Sequence, residues 1–163
     1  MKQIALIACL ALAACGARPP QPDVTRAEAS FSLNPNETPA IRATINRYAD
    51  HYGVPRSLVH RVIQRESDYR PAARNGPYYG MMQILPQTAR TMGHDGPASE
   101  LLTTEGNLRW AVKYLRGAWM VSDGDEHDAM MWYARGYYYE AKNRCLLVET
   151  GLNTRETARH CKG

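Results

Sequence analysis

The residues with the clearest chemical potential run from Glu66 to Ala89. Glu66 follows Val62 by four residues and Ile63 by three, so it continues the apolar stripe of a helix. A carboxylate on that face is costly to ionise without a matched cation. Desolvation and the negative end of the helix dipole both predict a raised pKa. A glutamic acid that keeps its proton near neutral pH suits general acid chemistry on a glycosidic bond. The same position also fits an ion pair with Arg65, Arg70 or Arg74, or a partly exposed acid at a frayed helix end. A loop later comes Gly80-Met81-Met82-Gln83-Ile84. There Gln83 offers two donors and an acceptor. Met81 and Met82 are expected to line the floor of a cleft, as adaptable gap fillers do. Ser67 caps or orients the helix end. Asp68, two residues past Glu66, points elsewhere by helical geometry. Nothing singles out Asp95, Asp123, Asp125 or Asp128.

The elements that must position these groups are mainly helices, and strand signals are nearly absent. Ile41, Ile45, Tyr48 and Tyr52 follow helical spacing after Thr38-Pro39 and stop at Gly53. A second helix opens at Pro55 and carries Leu58, Val59, Val62 and Ile63. A short one starts at Pro86, and a longer one carries Leu108, Ala111, Val112, Leu115 and Trp119. Another is expected from about Glu126 to Asn143, and a last one after Asn153, where Asn153 and Glu156 have capping-box spacing.

The N-terminal region reads differently. Lys2, the apolar run from Ile4 to Ala14 and the small residues before Cys15 have the order of a secretory signal. The run is short of the roughly 20 apolar residues of a membrane-spanning helix. Leu12-Ala13-Ala14-Cys15 resembles the bacterial lipobox, which implies cleavage before Cys15 and acylation of its thiol. A plain signal peptide that happens to contain cysteine is the alternative. Gly16 after the cysteine favours outer-membrane sorting. Pro19, Pro20, Pro22 and Pro35 mark a tether, which could reach at most roughly 65 to 70 Å. The expected organisation is a signal over residues 1–14, an acylated cysteine and linker over 15–36, and one domain over 37–163.

The formal charge of +4 falls to +3 once Lys2 leaves with the signal. Such a mild excess, without a dense basic cluster, predicts no nucleic-acid partner. Cys145 and Cys161 remain as an even pair in an oxidising compartment, which suggests a disulfide; two buried free thiols are the alternative. Neither Cys-x-x-Cys nor paired-His spacing occurs, so no metal and no cofactor are expected.

The order Glu66-Ser67, Pro71, Ala73, Gly80-Met81-Met82-Gln83-Ile84, Pro86 and Thr88-Ala89 resembles the soluble lytic transglycosylase (SLT) domain. Asn107 with Tyr114-Leu115, and Trp132-Tyr133 with Gly136, resemble later segments of the same family. The resemblance covers roughly Thr38 to Asn143 and implies a fold like goose-type lysozyme. Four features depart from the family pattern. The Glu-to-Gln spacing is one residue shorter, and Tyr78-Tyr79 replace a Gly-Ala pair. Ala134 stands where the family has asparagine, and the segment of Arg109-Trp110-Ala111 and Val112-Lys113 departs at a glycine. Tyr78 and Tyr79 are expected either to stack on sugar rings or to pack against the domain surface.

The resemblance implies a peptidoglycan lytic transglycosylase. Glu66 would act as acid and then base on the bond from N-acetylmuramic acid to N-acetylglucosamine, closing a 1,6-anhydro ring. Tyr133 would hydrogen-bond Glu66, as the matching family tyrosine does. Ser67, Tyr79, Met82 and Gln83 would complete the substrate-binding set. Ordinary glycosidases usually pair two carboxylates about 5 to 9.5 Å apart, and no second acid stands out here. A goose-type hydrolase and a non-catalytic wall-binding lipoprotein are the alternatives. Expected partners are peptidoglycan strands and a membrane reached through Cys15, at a periplasmic address. Cell-wall or secretion machinery is a further candidate partner.

Overall fold

A computed structural model describes residues 32–161. The signal, Cys15 and most of the tether lie outside the described residues. From Leu33 onward the chain forms one compact unit. No helix among the described residues is long and apolar enough to cross a membrane.

The fold is mainly helical, as the periodicity predicts. Helix α1 spans Pro39–Tyr52, with the Thr38 hydroxyl accepting from the Ile41 amide at 3.2 Å and Gly53 ending it. Helix α2 spans Arg56–Glu66 and buries Leu58, Val59, Val62 and Ile63. A two-residue hairpin follows, β1 (Arg74–Asn75) antiparallel to β2 (Tyr78–Tyr79), and then α3 (Pro86–Thr91). After a 3-10 turn at Ala98–Leu102 comes α4, Thr104–Val121, the longest helix among the described residues. It buries Leu108, Ala111, Val112, Leu115 and Ala118 and packs against α1 and α5, Glu126–Arg135. Helix α6 is Tyr138–Asn143, and a 3-10 turn closes at Arg159–Cys161.

Two expectations need correction. The single helix from Glu126 to Asn143 is two helices, broken at Gly136, whose φ of 86° is in the left-handed region that a side chain disfavours. The break turns the chain so that Tyr137 is buried and donates to the Tyr114 carbonyl at 2.8 Å. No helix follows Asn153 directly. The Glu156 carboxylate accepts from the Val148 amide at 2.8 Å instead of capping a helix, and Asn153 accepts from Thr154. The tail is held by the Cys145–Cys161 disulfide, with Cα atoms 5.4 Å apart. Closing a loop of this length contributes roughly 3 kcal/mol in the chain-entropy account.

A buried ion pair fixes the start of the domain. The Glu37 side chain is fully buried and accepts from Arg42 at 2.8 and 2.6 Å and from Asn34 at 3.1 and 2.9 Å. Burial alone would raise the pKa of Glu37, but the bonds from Arg42 and Asn34 outweigh it and hold the carboxyl at about 2. The folded pKa lies below the unfolded one, so this stabilisation is complete above pH 4.5 and lost as pH falls towards about 2. Its size is about 3 kcal/mol. Thermal melts across that window should show the loss, and Glu37→Gln should flatten it; a wild-type melt unchanged from pH 5 to pH 2.5 would count against the clamp.

Candidate active site

Helices α2 and α5 both end at one cleft of about 610 Å³. Glu66, the last residue of α2, lines it and is the one carboxylate that does so among the described residues. Its side chain is 24 % exposed. Desolvation by burial pushes its pKa above the ordinary value, opposed by the Arg65 guanidinium. The Arg65 Nε lies 3.7 Å from Glu66 Oε1, beyond hydrogen-bond range. Arg70 donates instead to the Ser67 carbonyl at 2.8 Å, and Arg74 sits over the Tyr79 ring. Of the three cations considered for an ion pair, only Arg65 is paired with Glu66, and loosely.

Gln83 and Ile84 also line the cleft, at the end of a loop from Tyr79 to Ile84 whose two ends pair with each other at 3.0 and 3.1 Å. Nearly every peptide group inside it is held by a side chain. Asn107, fully buried on α4, accepts from the Met82 amide at 2.8 Å and donates to the carbonyls of Tyr79 at 2.8 Å and Leu101 at 2.9 Å. Ser67 donates to the Met81 carbonyl at 2.7 Å and accepts from the Arg70 amide at 3.2 Å. Tyr133 donates to the Met82 carbonyl at 2.8 Å. Gly80 allows the approach, since a Cβ there would clash with the Leu101 carbonyl and the Asn107 amide.

This network revises several expected roles. The Tyr133 hydroxyl is not hydrogen-bonded to Glu66; its proton goes to Met82 O, although both side chains line the cleft. Burial, and then the Glu66 charge, raise the Tyr133 pKa well above its usual value, so it stays a donor. The Met81 and Met82 side chains are both fully buried in the core and do not line the cleft; their backbone groups serve the loop instead. Tyr78, 42 % exposed, lines the cleft, whereas Tyr79 packs against the core. Successive strand residues face opposite ways, so only one of the pair can reach a sugar. Ser67 does anchor the end of its helix, by capping α2 onto Met81.

Gln83 uses its amide donors on two backbone carbonyls, Gly80 O in the loop at 2.8 Å and Ala73 O before β1 at 3.2 Å. Those two bonds fix which end of the amide is nitrogen. Its Oε1 is buried and has no partner. Residues that sequence reasoning did not bring to the site include Asn75, Thr88 and Tyr114, which line the cleft, and Asn107, which builds it.

Residues 43–144 match the transglycosylase SLT domain, which covers α2, the loop, α4 and α5. The chain belongs to the SLT family. Family members are lytic transglycosylases that act on peptidoglycan. No solved structure shows a significant match to the chain. The SLT match ends at residue 144, so the disulfide lies just beyond it.

Proposed function

We propose that this SLT domain cleaves the β-1,4 bond between N-acetylmuramic acid and N-acetylglucosamine, leaving a 1,6-anhydro-muramoyl end. The observation that carries the reading is a half-buried carboxylic acid, Glu66, as the one carboxylate lining a polar cleft among the described residues, where burial favours its protonated form. Protonated Glu66 donates its proton to the bridging oxygen as the bond to the anomeric carbon breaks. The muramoyl 6-hydroxyl then bonds to that carbon and returns its proton to the Glu66 carboxylate. No water is consumed, and one carboxylate serves both steps. A two-carboxylate mechanism needs a partner acid about 5 to 9.5 Å away. Gln83 and the exposed Tyr78 also line the cleft, where they would meet the sugar.

Mass spectrometry of digested peptidoglycan tests this. Anhydro ends, lighter by one water than hydrolytic ends, are expected; hydrated ends would replace this reading with a hydrolase. The proposal extends to a periplasmic, lipid-anchored enzyme acylated at Cys15, on the strength of the apolar run and the Leu-Ala-Ala-Cys quartet.

A further inference from the structure

Two arginines of the cleft keep donors that the fold does not use. Arg65 is next to last in α2 and Arg135 is last in α5, and both line the cleft. Elsewhere Arg42, Arg47, Arg56, Arg61 and Arg144 each donate to a carboxylate, while Arg90, Arg109, Arg155 and Arg159, which also make no hydrogen bond among the described residues, lie outside this cleft. Arg70 and Arg116 donate to backbone carbonyls. Arg65 and Arg135 make no hydrogen bond among the described residues; Arg65 has only the long contact with Glu66. The Arg135 guanidinium lies 3.9 Å from the Trp132 ring centroid. Stacking of this kind holds the side chain in place while leaving its N–H fork open.

A cation in the last turn of a helix is favourable, but by only about 0.3 to 1 kcal/mol. That gain does not explain why Arg65 stands beside the general acid, where it opposes protonation of Glu66. An anion from the substrate would neutralise it and return Glu66 towards its protonated form on binding. With Glu66 protonated, the cleft carries two cations and no anion, a setting that attracts carboxylates.

We propose that Arg65 and Arg135 form a carboxylate-binding subsite that holds the acidic group carried on the lactyl ether of muramic acid. The inference rests on the reading of the cleft as a muramoyl site. The carboxylate has two sources: the free lactyl acid of a peptide-free strand, or the acidic residues of an attached stem peptide.

The test uses the full chain carrying Glu66→Gln, so that ligand is bound and not turned over. Calorimetry compares a disaccharide-tetrapeptide and a peptide-free disaccharide, each against its carboxyl-amidated counterpart. In at least one arm the acidic ligand should bind about tenfold tighter than its amide. The arm that shows the preference identifies the source. Adding Arg65→Gln or Arg135→Gln should bring the ratio close to one, and Arg135→Lys should restore part of it, because the charge returns without the fork. Equal affinities in both arms, or a preference that survives both substitutions, would overturn the proposal. The enzymatic reading fails separately, on wild-type digests lacking anhydro ends.

Discussion

Glu66→Gln should lower turnover of peptidoglycan by about a hundred- to ten-thousand-fold, the usual size of a general acid–base contribution. The amide keeps the shape of the side chain but can neither give a proton to the leaving oxygen nor take one from the 6-hydroxyl. Muropeptide release from purified sacculi would measure it. The pH profile carries further information. The folded pKa of Glu66 is raised, so activity should persist at lower pH and fall as pH rises through that value. Only the protonated ground state starts the reaction, and the carboxylate needed later forms within it. Glu66 should therefore contribute one limb to the profile, where a carboxylate pair would give a bell. The same shift has a consequence for stability. The folded pKa lies above the unfolded value of about 4.5, so Glu66 favours folding most below that value. The advantage is lost as pH rises through the folded pKa, where a buried charge appears. Glu66→Gln removes that charge and should melt at a higher temperature than wild type at neutral pH. A variant that keeps near wild-type turnover would remove Glu66 from the chemistry. One that melts lower at neutral pH would contradict its desolvation.

What was legible in the chain follows from what residue types encode. Helices announced by Thr38-Pro39, Gly53, Pro55 and Pro86 appear where their caps and prolines put them, because those signals are local. The break at Gly136 was hidden because Tyr133, Tyr137 and Ala141 keep helical spacing across it. Gly136 permits the turn, and the seat for Tyr137 against α4, distant in sequence, favours it. The Asn153–Glu156 spacing misled for a similar reason: Glu156 finds the Val148 amide, a partner that spacing does not reveal. At the site, Glu66 stood out because a carboxylate on an apolar stripe is anomalous. The roles of Ser67, Tyr133 and Gln83 were harder to read. Their partners are main-chain carbonyls, and carbonyls have no signature in a sequence. Ser67 and Tyr133 are spent on holding a loop of which Gln83 and Ile84 line the cleft.

Asn107→Ala tests that scaffold, and it should cost about 3 to 5 kcal/mol of stability. Three hydrogen bonds disappear, and each polar group left buried without a partner costs about 1 to 3 kcal/mol. Water entering the small void offsets part of the sum, which places the expectation below the upper limit. Asn107→Leu should be worse, since it fills the space and puts an apolar group against two carbonyls. Asn107→Asp discriminates further. Its carboxylate can still accept from the Met82 amide, but it faces the Tyr79 and Leu101 carbonyls without a proton to give them. That variant should regain stability as pH falls and the acid becomes a donor. Activity should fall with these substitutions even well below the melting temperature. The Met81 and Met82 carbonyls that Asn107 helps to place are those that hold Ser67, next to Glu66, and Tyr133. Thermal melts and muropeptide release on the same preparations separate the two effects. Full activity in a folded Asn107→Ala protein would show that the loop keeps its shape without the amide, and that Ser67 and Tyr133 suffice to hold it.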